Sequence, residues 1–112
     1  MKKITAIVRP EKVDSVRRAL EKVGYSGIMI SEIQGHGKQK GVVQQWRGEK
    51  YKVDLIQKTK VEVVVKDSEV PALTQTLIEN ARTGDIGDGK IFISTVDDVI
   101  RIRTGEKGEI AL

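Results

Sequence analysis

The segment Thr83–Ile91, TGDIGDGKI, nearly spells a phosphate-binding loop: Gly84, Gly89 and Lys90 satisfy G-x-x-x-x-G-K. Ile91, however, stands where such a loop needs the Ser or Thr that holds Mg²⁺. What the segment is depends on what surrounds it, and the surroundings repeat. A shift of 57 positions carries Ile4, Val13, Val16, Leu20 and Gly27 onto Val61, Val70, Leu73, Leu77 and Gly84. Beyond that glycine the shift becomes 63, matching Ile28-Met29-Ile30-Ser31 to Ile91-Phe92-Ile93-Ser94. The difference is the six residues DIGDGK, 85–90.

Each copy reads strand, helix, strand. KKITAIVR and GIMISEI carry strand character around a helix in which Val13, Val16, Leu20 and Val23 fall on one face, ended by Gly24. KVEVVVK and KIFIS bracket the second helix, for which Ser68 is the expected cap, with Pro71 in its first turn. A duplicated unit in the order β-α-β-β-α-β predicts an α+β, ferredoxin-like split βαβ domain, four antiparallel strands with both helices on one face. In it TGDIGDGKI runs from helix to strand. A P-loop runs from strand to helix, so this is no Walker motif. Two readings stay open: a helix cap followed by a glycine turn, or backbone N–H groups converging on an anion beside Lys90.

The remaining composition narrows the chemistry. A chain of 112 residues predicts one domain, 1–112, burying roughly two-thirds of its unfolded surface. There is no bilayer-length apolar run and no signal-peptide core, which predicts a soluble, cytoplasmic protein. Without cysteine, and with His36 alone, thiol nucleophiles, zinc–cysteine sites and His-based triads are excluded. Net charge +4 favours anionic partners, but 20 Lys and Arg are dispersed among 16 acids, which suits a small polyanion better than nucleic acid.

Two further segments share the glycine and cation content. Residues 36–57 predict a long loop where a short hairpin would suffice, and GHGKQKG, 35–41, runs into its start. In RIRTGEKG, Arg101 and Arg103 on a strand would point to one side as a two-pronged clamp. Two rival classes need other features. An ATP-hydrolysing enzyme would enlist Asp85 or Asp88 as base; an RNA-binding sheet would need aromatic strands, whereas the chain has only Tyr25, Trp46, Tyr51 and Phe92.

Taken in order, GHGKQKG, WRGEKY, TGDIGDGKI and VIRIRTGEKG resemble the signature segments of the PII family of nitrogen-regulatory signal proteins, across the whole chain. The resemblance implies a homotrimer that binds ATP or ADP competitively in clefts between subunits, acting as a regulator and not as an enzyme. It assigns the phosphates to Gly37, Lys38 and Gln39, to Gly87, Asp88, Gly89 and Lys90 of an 83–90 loop, and to Arg101 and Arg103 of a 101–109 C-terminal loop from the neighbouring subunit. Adenine would lie against Ile7, Met29, Gly35, Glu62 and Val64. With Mg²⁺-ATP, 2-oxoglutarate would chelate the metal alongside Gln39, held by Lys58 and by N–H groups of Gln39, Lys40, Gly41 and Gly87.

The resemblance makes the 36–57 loop the output, reaching an ammonium channel at the membrane or a nitrogen-metabolic enzyme. Trp46 and Arg47 are expected to dock the partner, being residue types favoured at interface hot spots. Tyr51 stands where some relatives are uridylylated, while Glu49 replaces a serine phosphorylated in others. Met29 replaces a common Thr and Lys38 a common Arg, which keeps charge but loses bidentate geometry.

Overall fold

A computed structural model describes residues 1–25, 27–36, 43–46, 49–52 and 55–112, with 36, 43–46 and 49–52 as backbone only. Strand β1 (Lys2–Val8) alternates, with Ile4, Ala6 and Val8 buried on one face and Lys3, Thr5 and Ile7 on the other. Pro10 opens a short 3-10 turn into helix α1 (Val13–Lys22), which buries Val16 and Leu20, one turn apart. Gly24, at φ 100°, ends it in a Schellman arrangement: its N–H donates to the Glu21 carbonyl and that of Tyr25 to Leu20.

The second copy follows the same logic. Strand β5 (Leu55–Val65) buries Val61, Val63 and Val65, and helix α2 (Val70–Ala81) buries Leu73, Leu77 and Ala81. Ser68 is not the cap predicted for it. It sits inside a 3-10 turn, Asp67–Glu69, where the Glu69 carboxylate instead accepts from the Lys66 N–H at 3.2 Å. The 3-10 turn already takes in Ser68 and leaves Glu69 as the residue before α2, so the serine is one position too early to cap that helix.

Strands β2 (Met29–His36), β5, β1 and β6 (Lys90–Thr95) lie side by side in that order, all antiparallel. Both helices cover one face, joining Val16, Leu20, Leu73 and Leu77 to the buried residues of β1 and β5 in a single core. Each fully buried aliphatic contributes about 1.5–3 kcal/mol, so this shared layer binds the two copies together. The fold is the ferredoxin-like α+β domain that the repeat predicts. No described helix is long and apolar enough to cross a membrane.

The expected 36–57 loop is partly sheet. His36 pairs with Leu55 and Gly35 with Ile56, so β2 and β5 run into the segment, and Leu55–Gln57 belong to a strand. Within it β3 (Val43–Trp46) and β4 (Glu49–Lys52) form a separate antiparallel pair, Trp46 opposite Glu49. Ladder pairing satisfies backbone groups that an open loop would leave to water. The Arg101–Arg103 strand is also corrected. Residues 101–104 form a turn closed by Gly105 N–H on the Arg101 carbonyl and by an Ile100–Lys107 bridge, with Gly105 at φ 72°. Strand alternation therefore does not align the two guanidiniums.

Candidate functional site

The segment between α2 and β6 is shaped by its glycines. Gly84, Gly87 and Gly89 take φ of 94°, 105° and 96°, which side-chain-bearing residues rarely adopt. At Gly89 the demand is also steric, because a Cβ would sit 1.7 Å from the Ile7 carbonyl oxygen of β1. The loop is thus pressed onto the end of the sheet, and Lys90 enters β6 opposite Ile7.

Asp88 organises the loop from within. Its Oδ2 accepts from the Thr83 and Gly84 N–H groups, both at 2.9 Å, and its Oδ1 from the Thr83 hydroxyl and from Arg9 Nε at 3.0 Å. The Thr83 hydroxyl, the Gly84 and Thr83 amides and the Arg9 guanidinium hold this carboxyl far below the usual carboxylate range. A carboxylate so occupied is a weaker proton acceptor than a free one, which counts against Asp88 as the base of the hydrolytic alternative.

Two cations hold the outside of the loop by its carbonyls. Arg9 Nη2 donates to the Ile86 carbonyl at 3.0 Å, and the buried Lys58 Nζ donates to the Gly87 carbonyl. Burial, with Arg9 next to it, pushes the Lys58 ammonium down from its ordinary value. Val8 pairs with Thr59 and Ile7 with Lys90, so continuing both registers sets Arg9 between Lys58 and Asp88. Sequence reasoning missed Arg9. Antiparallel pairing of β1 with both strands of the second copy was the available cue.

The N–H side of the loop's tip is unpaired among the described residues. The amides of Ile86, Gly87 and Gly89 donate to no described residue, whereas the carbonyls of Ile86 and Gly87 are both taken. A trans peptide points its C=O and N–H in opposite directions, so carbonyls held against the protein turn the following N–H groups outward. Unpaired N–H groups beside Lys90 suit an anion, and a polyphosphate fits this donor set.

The sheet places the other candidates together. Ile7, Met29, Gly35, Lys58, Glu62 and Val64 all fall on the helix-free face by strand parity and register, with Met29 opposite Glu62. Glu62 is already engaged: Thr5 Oγ1 donates to it at 2.9 Å, and Lys3 and Lys60 lie at 3.4 and 3.5 Å. The Thr5 hydroxyl first, and the lysines with it, hold its carboxyl below the usual range. Phe92, opposite Thr5, is the one aromatic side chain on this face among the described residues.

Other candidates stand apart or lie outside the description. Arg101 is drawn back onto its own turn, with Nη1 2.8 Å from Glu106 and Nη2 donating to the Ile110 carbonyl at 3.0 Å. Neither Arg101 nor Arg103 bonds the 83–90 segment among the described residues. Gly37, Lys38, Gln39, Lys40, Gly41 and Arg47 lie outside the described residues, as do the side chains of Trp46 and Tyr51, whose backbones belong to β3 and β4. No group of three or more His, Asp or Glu that could hold a metal occurs among the described residues.

Comparison with known proteins accords with these observations. The family model described as Nitrogen regulatory protein P-II matches residues 1–106. Over all 112 residues the chain is 52% identical to "Nitrogen regulatory protein P-II 2" of Methanothermobacter thermautotrophicus, covering 97% of that protein. It is 53% identical to "Nitrogen regulatory protein P-II" of Nostoc punctiforme and 52% identical to that of Microchaete diplosiphon, covering 100% of each. With its duplicated ferredoxin-like fold, its glycine loop and this full-length similarity, the chain belongs to the nitrogen regulatory protein P-II family.

Proposed function

We propose that the chain is a homotrimeric, cytoplasmic sensor that binds ATP or ADP and, with Mg²⁺-ATP, 2-oxoglutarate, and then controls a nitrogen-assimilation target through residues 36–57. The observation that carries the reading is the loop at 84–90, with its Ile86 and Gly87 carbonyls held by Arg9 and Lys58 and its Ile86, Gly87 and Gly89 N–H groups without a partner among the described residues. In this account the amides of Gly87, Asp88 and Gly89 and the Lys90 ammonium take the phosphates. Adenine rests on the Ile7, Met29, Gly35, Glu62 and Val64 face. Gly37, Lys38 and Gln39 close over it, and Arg101 and Arg103 of a neighbouring subunit complete the charge. Exposed Phe92, Ile93 and Ile102, at 56%, 52% and 101% accessibility, favour self-association, since a monomer gains nothing from leaving them in water.

Gln39 would hold Mg²⁺ through its side-chain oxygen, and the metal would supply a Lewis-acidic point for a 2-oxo acid. Lys58, with the amides of Gln39, Lys40, Gly41 and Gly87, then holds the carboxylates, and the change is passed to the Trp46–Arg47 and Tyr51 region as a population shift. An ammonium channel or a nitrogen-metabolic enzyme is the proposed target. Titration calorimetry with 2-oxoglutarate tests the scheme: binding is expected only in the presence of Mg²⁺-ATP. Binding that ignored Mg²⁺-ATP would contradict the chelation step, and absence of ATP binding would contradict the nucleotide reading. Phosphate release from Mg²⁺-ATP at roughly 1 s⁻¹ or faster would make it an enzyme instead.

A further inference from the structure

We propose that Arg9 is a positioning residue that aims the N–H groups of the 84–90 loop at the bound polyphosphate, acting through Asp88 and the Ile86 carbonyl. The proposal rests on the nucleotide reading above. Its basis is one guanidinium spanning two different parts of the loop, with Nε on Asp88 Oδ1 at 3.0 Å and Nη2 on the Ile86 carbonyl at 3.0 Å. The second contact orients the peptide between Ile86 and Gly87, so that holding its oxygen inward turns the Gly87 N–H outward. The first fixes the carboxylate that in turn caps Thr83 and Gly84 at 2.9 Å each.

Arg9 is also packed into place. A Cβ on Gly87 would lie 3.2 Å from Arg9 Nη2, so the loop backbone rests on the guanidinium itself, at a glycine whose φ is 105°. With the side chain only 18% exposed and Pro10 fixing the chain just after it, the fork has little freedom to leave. Lysine keeps the charge but, as a point donor, cannot bridge Asp88 and Ile86 in this planar geometry.

The test uses the full chain with Arg9→Lys, Arg9→Gln, Asp88→Asn and the Arg9→Gln/Asp88→Asn double variant, and two readouts. By calorimetry with ADP, Arg9→Gln and Asp88→Asn are each expected to weaken binding about tenfold, and Arg9→Lys nearly as much. The double variant should be no more than about threefold worse than the weaker-binding single, because both changes release one device. By amide exchange without ligand, Thr83 and Gly84 should exchange about tenfold faster in Arg9→Gln, while Ile4 and Leu77 in the core are unchanged. Arg9→Lys binding ADP as the unsubstituted chain does would reduce Arg9 to its charge and overturn the proposal, as would additive losses in the double variant. If the unsubstituted chain does not bind ADP, the nucleotide reading fails. Exchange then decides the positioning role alone, and unchanged rates at Thr83 and Gly84 would overturn it.

Discussion

The two copies of the repeat build the same half-domain and then part company at one glycine. Gly27 and Gly84 occupy equivalent positions, yet Gly84 takes φ 94° while Gly27 stays outside the left-handed region. In the first copy the chain goes almost at once into β2. In the second, six more residues intervene, and they carry Asp88, two further left-handed glycines and the open N–H groups. Shared residues make the core; unshared ones make the glycine loop. The copies also depend on each other, because Arg9 of the first copy holds the loop of the second.

Substitutions at the glycines break this comparison most sharply. Gly89→Ala is expected to cost about 3 kcal/mol or more in denaturant unfolding, since its Cβ would overlap the Ile7 carbonyl at 1.7 Å and only backbone movement relieves it. Gly84→Ala should cost about 1 kcal/mol, for its positive φ alone, as nothing lies within 4 Å of the added carbon. Gly27→Ala, also in open space but at an ordinary φ, should stay within about 0.5 kcal/mol. Equal costs at Gly27 and Gly84 would mean that the two turns are alike.

Acid sharpens the same contrast with a smaller effect. The Asp88 carboxyl lies below its ordinary range when folded, so its contribution to stability is complete above that range and is lost only as the pH falls through the depressed value. Amide exchange at Thr83 and Gly84, corrected for the intrinsic pH dependence of exchange, should therefore keep its protection at about pH 4, where ordinary surface carboxylates are titrating. The smallest effect lies at the end of the first copy's helix. Burial, together with Glu69, pushes the Tyr25 phenol up to about 12. The raised value favours the neutral phenol in the fold, so this contribution is present below the ordinary value of 10 and is lost as the pH rises toward 12. Ultraviolet titration should show one tyrosine ionising near 12 in the folded chain and none so late in urea.

Much of this architecture is legible in the residues. Alternation in Lys2–Val8 and Val61–Val65, and the four-residue spacing of Val16–Leu20 and Leu73–Leu77, specify which faces are buried, and the matched copies specify the topology. The reach of β2 to His36 and of β5 from Leu55 was not legible, because backbone pairing needs no apolar pattern to continue. In the site, glycines mark the loop, but which of them touches a carbonyl is a matter of tertiary approach. Arg9 reads locally as a cation beside a proline. Its role emerges only when antiparallel registers bring Lys58 and Asp88 to either side of it.

The central claim is that the second copy's extra residues form the anion site. Following backbone amide shifts by NMR as ADP is added tests it most directly. The account predicts the largest changes at Gly87, Asp88, Gly89 and Lys90, with Gly27 and Ile28 little affected. Saturable ADP binding that left residues 84–90 unmoved while shifting other amides would contradict it.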